Sequence, residues 1–204
     1  MSTSTHDTHR TRLLRAAQTL LRERDYDNIT ARELVAASNT NLGSIGYHFG
    51  SKEALLNEAI GLALEEWAEA VGRATRSDPG AGLPELMLNS LRVALDEYDS
   101  IRPYHRAFIE ALARSARSPA LRQQLAAHYD RQRDRLAGWL GDSLGDDALA
   151  PHEARHIASL MLGTVDGLFI QSFIDADDVP TSSELAGAGG NAFAAARPGP
   201  VPRP

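Results

Sequence analysis

The chain has 204 residues, a length that suits one large domain or two small ones. With 43% hydrophobic and 24% charged residues it has the composition of a folded globular protein, which excludes a fibre or a largely disordered chain. The absence of cysteine excludes disulfide frameworks, thiolate nucleophiles and thiolate metal sites, so the fold stands on packing alone.

The net charge of −6 hides an uneven distribution. Residues 1–53 hold seven Lys or Arg against six Asp or Glu, a balance of +1, whereas residues 54–204 hold fourteen against twenty-one, a balance of −7. Arg10, Arg12, Arg15, Arg22 and Arg24 crowd near the start, and Lys52 is the only lysine. No apolar stretch approaches the roughly 20 residues that cross a bilayer, and Met1 to Arg12 lack the apolar segment of a signal peptide. The expectation is a cytoplasmic protein with no membrane partner and no cofactor.

Helical periodicity runs through nearly the whole chain and no β-branched alternation calls for a sheet, so the expected class is all-α. Leu13, Leu14, Ala17, Leu20 and Leu21 form one stripe of a first helix over about Thr8–Arg24. Asp25, Asp27 and Asn28 then break the pattern. Thr30 precedes a second helix from Ala31 with Glu33 at capping-box spacing, and Asn39-Thr40-Asn41 ends it near Ser38. A short third helix is expected over about Asn41–Tyr47. Gly50 stops it, and Ser51 caps a fourth that runs to about Thr75.

Two short helices joined by a tight polar turn and covered by a longer one describe a helix-turn-helix unit, in which the second helix of the pair enters the major groove. Here that helix is expected to carry Asn41, Ser44, Tyr47 and His48 outward, with Leu42, Ile45 and Phe49 turned inward. Asn and Ser suit base edges or phosphates. Tyr47 and His48 can reach the backbone, and Thr30 and Lys52 sit at helix N-termini, where free amides favour a phosphate.

The run Thr30 to Leu56, and within it Tyr47-His48-Phe49-Gly50-Ser51-Lys52-Glu53, resembles the N-terminal region of tetracycline-repressor-type (TetR family) regulators over about residues 7–67. Ser38-Asn39-Thr40-Asn41 stands where that family often has Ala-Gly-Val-Ser, and Gly46 where it often has a tyrosine on phosphate. The resemblance implies a DNA-binding domain over 7–67, with Thr30, Arg32, Asn41, Gly43, Ser44, Tyr47, His48 and Lys52 at the DNA. It also implies a ligand-binding and dimerisation domain over 68–180, a homodimer, and a repressor that releases a pseudo-palindromic operator when a small molecule binds. The expected half-site separation is roughly 34 to 36 Å or somewhat more.

Downstream, helices are expected at about 83–100, 103–116, 118–142 and 152–177, with breaks at Pro103, Pro119 and Pro151. The last is apolar around much of its circumference and needs burial on two sides. A second copy of the same helix is the simplest second supplier, through Ala158, Met161, Leu162, Val165, Phe169 and Phe173. Aromatic or polar residues on apolar faces give a candidate ligand pocket of Trp67, Met87, Tyr98, His105, Phe108, His128, Tyr129, Trp139, Thr164 and Asp166, most of which also suit a core.

His152-Glu153-Ala154-Arg155-His156 matches H-E-x-x-H, the helical zinc pattern. It leaves a zinc-dependent hydrolase or a metal-sensing regulator as alternatives. Against the enzyme, Pro151 puts His152 in a first helical turn, where an acid such as Glu153 has an ordinary role, no H-x-x-G-x-x-H extension follows, and no strand is available to bind a peptide substrate. A protein-binding adaptor that uses the helix-turn-helix as scaffold is a third class. Met1–Asp7 and residues 187–204 read as tails, and residues 181–196 as a possible final short helix anchored by Leu185 and Phe193.

Overall fold

The computed structural model describes residues 8–75, 81–145, 149–177, 179–185 and 187–188. The two expected tails beyond those limits, and Phe193 with the end of the final short helix, lie outside the described residues. Eight helices follow in order: α1 (His9–Glu23), α2 (Ala31–Ser38), α3 (Leu42–Phe49), α4 (Lys52–Thr75), α5 (Leu83–Asp96), α6 (Tyr98–Ser115), α7 (Pro119–Leu144) and α8 (Pro151–Ile174), with a 3-10 turn at Tyr26–Asn28 between α1 and α2. Residues 182–185 and 187–188 are also helical, and no strand occurs among the described residues.

The N-terminal helices begin where their capping chemistry puts them. The Thr30 hydroxyl accepts from the Glu33 amide at 3.3 Å while the Glu33 carboxylate takes the Thr30 amide at 2.9 Å, closing a capping box on α2. Asn41 Oδ1 accepts from the Ser44 amide at the start of α3, and Ser51 Oγ from the Ala54 amide at the start of α4. Asn39 ends α2 in the left-handed region at φ 49°, and Gly50 ends α3 at φ 81°, where a side chain would strain the backbone.

The break expected at Pro103 falls at Glu97 instead, and Pro103 lies inside α6. An interior proline forgoes the hydrogen bond to the carbonyl four residues back. The burial of Ile101, Tyr104, Ala107 and Phe108 on the same helix offsets that loss.

The chain forms two compact units. The first contains the described residues of Met1–Trp67 together with Ser100–His128. Its core is built from Leu13, Ala17, Leu21, Ile29, Leu34, Ile45, Leu55 and Leu56. α6 joins it through long-range contacts that leave no local trace in sequence. The Tyr104 hydroxyl donates to the Gln18 carbonyl at 3.1 Å, and Arg106 and Arg114 reach Asp25 and Asp27 at 3.0 and 2.6 Å.

The second unit contains Ala68–Asp99 and the described residues from Tyr129 onward. Leu86, Trp139, Leu140 and Met161 form a core cluster there, which spends Trp139 on packing. α8 is, contrary to the sequence expectation, long and apolar enough to cross a membrane by length and composition, with a mean hydropathy of 1.6 over its best window. It carries Asp166 near its middle, at an insertion cost of about 2.5–3.5 kcal/mol for a mid-helix aspartate, and it packs on α5.

Candidate nucleic-acid interface

α3 is eight residues long, just over two turns, and it is held by short-range capping and by packing on α1 and α2. Ser44 and Ile45 are buried beneath it. Asn41 Oδ1 accepts from both the amide and the hydroxyl of Ser44, at 3.0 and 3.3 Å. A Cβ at position 43 would come within 3.2 Å of that Asn41 oxygen, so Gly43 leaves room for the cap. Nδ1 of His9 lies 3.1 Å from Ser44 Oγ, which ties the first residue of α1 to α3.

This geometry corrects two assignments. Ser44, expected to face outward, is 7% exposed and holds the helix in place, whereas Leu42, expected to turn inward, is 54% exposed. The reason is the placement of the cap: Asn41 sits before the helix, so Leu42 becomes its first residue and falls beside Gly43, Gly46 and Tyr47 rather than over Ile45. The outward face of α3 is therefore Leu42, two glycines and Tyr47, the last 85% exposed. A Cβ at Gly46 would meet nothing within 4 Å. The bare glycines let the helix backbone itself come close to whatever it docks against.

Around this face the remaining candidates are differently placed. His48 is half-buried and meets the Tyr47 ring edge-on, with centroids 4.8 Å apart. Arg32 is exposed on α2. Thr30 is exposed, but its hydroxyl and amide are both engaged with Glu33, whose carboxyl is held below its ordinary pKa by those hydrogen bonds and then by Arg24. A carboxylate thus already occupies one of the two N-termini expected to take a phosphate. Lys52, at the other, donates to the Ile29 carbonyl at 3.0 Å and lies 3.6 Å from a Glu53 oxygen, so an external anion there competes with that carboxylate.

The expected ligand set divides between the two units. Trp67, His105, Phe108 and His128 belong to the first. There the His105, Phe108 and His128 rings follow one another at 6.1 and 5.9 Å, and His128 Nδ1 lies 3.9 Å from a Glu65 oxygen. Met87, Tyr98, Tyr129, Thr164 and Asp166 belong to the second. The Tyr129 hydroxyl donates to Asp166 at 2.7 Å, and burial together with that carboxylate pushes its pKa up. Met87 and Thr164 line a cavity of about 230 Å³.

Three of the residues expected at a dimer seam are spent within the single chain. Ala158, Met161 and Phe169 are buried within the second unit, and Tyr98 stacks on Phe169 at 4.1 Å and meets Phe173 edge-on. Leu162 and Val165 are half-buried. The face of α8 left outward in the single chain carries Leu160, Gly163, Thr164, Ile170, Gln171 and Ile174, with Gly167 between them. In the H-E-x-x-H run, the Glu153 carboxylate turns back to accept the Ala150 amide at 3.0 Å. His152 and His156 face each other alone, and among the described residues no three His, Asp or Glu side chains gather into a metal cage.

Comparison with known proteins gives consistent results along the chain. The family model for bacterial regulatory proteins of the tetR family matches residues 13–59, and that for the C-terminal region of BetI-type transcriptional repressors matches residues 85–187. No curated protein sequence matches. Among solved structures, a structural-genomics transcriptional regulator from Rhodococcus sp. RHA1 aligns with a TM-score of 0.70 and 18% identity, covering 92% of this chain and 95% of its own. Salmonella enterica GusR aligns with a TM-score of 0.62 and 24% identity, covering 93% and 97%. A regulator from Saccharomonospora viridis in complex with choline aligns with a TM-score of 0.60 and 20% identity, covering 91% and 95%.

Proposed function

Given that the chain belongs to the tetR family of bacterial regulatory proteins, we propose that it is a repressor that holds a pseudo-palindromic operator as a homodimer and lets go when a small molecule binds. It is a ligand-responsive transcriptional regulator and not an enzyme. The observation that carries the DNA reading is the exposed face of α3, Leu42-Gly43 and Gly46-Tyr47, on a helix that its caps and His9 hold rigid. With two glycines bringing the backbone close, Leu42 meets the base edges as an apolar group, and the apolar group a base presents in the major groove is the thymine methyl. Tyr47, Arg32 and Lys52 contact phosphates and set register, while Asn41 offers its remaining amide to a base edge or phosphate.

One α3 supplies too few base contacts for selective binding, so the operator is read twice. The outward face of α8 supplies the means. Leu160, Gly163, Gly167, Ile170 and Ile174 recur at intervals of three and four, and a Cβ at either glycine would meet nothing within 4 Å. A second copy of α8 fits this face closely at the two glycines and covers Ile174, which is 83% exposed in the single chain. As a DNA-binding protein it works in the cytoplasm, where bacterial DNA lies.

The domains implied by sequence, 7–67 for DNA and 68–180 for ligand and dimer, are proposed with one change: Ser100–His128 works with the first. Operator and effector oppose each other through a coupling that is reciprocal by linkage, of about 1–3 kcal/mol. Selection of bound genomic fragments, followed by footprinting, tests the reading. The expected result is a two-fold site whose affinity falls steeply with salt, and retention of no fragment overturns it.

A further inference from the structure

We propose that the cavity between α5 and α8 is a binding site for a neutral, compact aromatic molecule carrying at most a hydrogen-bond donor, and not for an organic cation or an anion. The proposal rests on the effector-responsive reading above and names the chemistry of that effector.

The cavity has a volume of about 230 Å³, and its described lining lies within the second unit, with Leu185 and Ala188 adding to the residues of α5 and α8. A cavity of about 150 Å³ lined by apolar side chains holds benzene, so this one has room for a fused pair of rings. Met87 on α5 and Met161 on α8 bring two thioethers to it, and thioether sulfur makes favourable contacts with aromatic rings.

The polar side chains of the wall decide the charge. Among the described residues that line it these are Ser90 and Thr164, and each hydroxyl donates its single proton to a carbonyl of its own helix, Ser90 to Leu86 at 2.7 Å and Thr164 to Leu160 at 2.9 Å. Their oxygens keep lone pairs but have no proton left to give. An anion therefore finds no donor. A cation finds no counter-charge among the described residues of the wall, which include no acid, and Asp166, next in sequence to Val165, is bonded to Tyr129. Whatever part of an ion gives up water against these side chains gains no partner from them, whereas a neutral hydroxyl or N–H can be accepted.

The test is calorimetric titration of the full chain, without DNA, against three probes of one shape: 2-naphthol, 2-naphthoate and 2-naphthylmethylammonium. The expected result is one 2-naphthol per chain, with both ions weaker by about tenfold or more. Val165→Trp, which fills the cavity, is expected to abolish binding. Thr164→Val is the milder second variant, expected to weaken 2-naphthol about threefold to tenfold, as for one lost hydrogen bond, and to leave 2-methylnaphthalene unchanged. Equal binding of either ion, indifference to both variants, or no binding of 2-naphthol overturns the proposal. Operator binding by the unliganded chain is measured separately. A chain that binds its operator but no naphthol refutes the cavity alone, and one that binds naphthol but no DNA refutes the regulator reading alone.

Discussion

Nδ1 of His9 and Oγ of Ser44 are 3.1 Å apart, and through them α1 grips the recognition helix from beneath. Both Ser44→Ala and His9→Ala are therefore expected to lower stability by about 0.5–1.5 kcal/mol, the worth of a hydrogen bond, while base preference stays the same. Urea unfolding of the two single variants and the double variant should return a coupling of about 0.5–1 kcal/mol. A Ser44→Ala protein of unchanged stability with altered operator preference would return that hydroxyl to the DNA.

Leu42 gives the sharpest test of how α3 reads sequence. Replacing thymine by deoxyuridine at the contacted operator position removes one methyl group and should weaken the wild type by about 1 kcal/mol, the worth of a buried methylene. Leu42→Ala should bind both operators alike. If the methyl matters equally to both proteins, another residue reads it.

Tyr47→Ala and Lys52→Ala are expected to weaken binding to all sequences. Lys52→Ala should reduce the slope of log affinity against log salt by about 1. The two separate in stability: Tyr47 is 85% exposed and its loss leaves the melting temperature unchanged, whereas loss of Lys52 deprives the Ile29 carbonyl of its partner and lowers it.

Gly167→Leu should turn the proposed dimer into monomers in sedimentation without altering helical content, since a Cβ there meets open space within its own chain. The same substitution should abolish operator binding at concentrations where the wild type binds. A Gly167→Leu protein that remains dimeric would move the interface off this face of α8.

Burial pushes the Tyr26 hydroxyl up from 10.0 to about 12, against the opposing pull of Arg114. The unfolded chain releases this proton near 10.0 and the folded chain only near 12, so the contribution to stability is complete below the first value and is lost as pH rises between the two. Urea midpoints measured across that interval should fall more steeply for the wild type than for Tyr26→Phe. Parallel curves would contradict the assignment.

The starts of α2 and α4 were legible in sequence because each is set by a side chain and an amide three residues apart: Thr30 with Glu33, Ser51 with Ala54. The facing of α3 was not. In a helix of two turns, moving the first residue by one position exchanges which side chains point out, and that exchanged Leu42 with Ser44. The union of α6 with α1 was equally invisible, since Tyr104 and the Gln18 carbonyl it bonds are 86 residues apart. α8 hid its orientation for the opposite reason: it is apolar on nearly every side, and only its neighbours reveal which apolar residues are spent inward.

Because Lys52 is the sole lysine and its ammonium group is moored to the Ile29 carbonyl, amine-acylating reagents have one side-chain address on this polypeptide besides the terminal amine, and it adjoins α3. Acylation there would erase the charge and the mooring together, and its rate would report how often the segment before α2 comes loose. A dye attached at that amine would label every molecule at the same place, beside the nucleic acid.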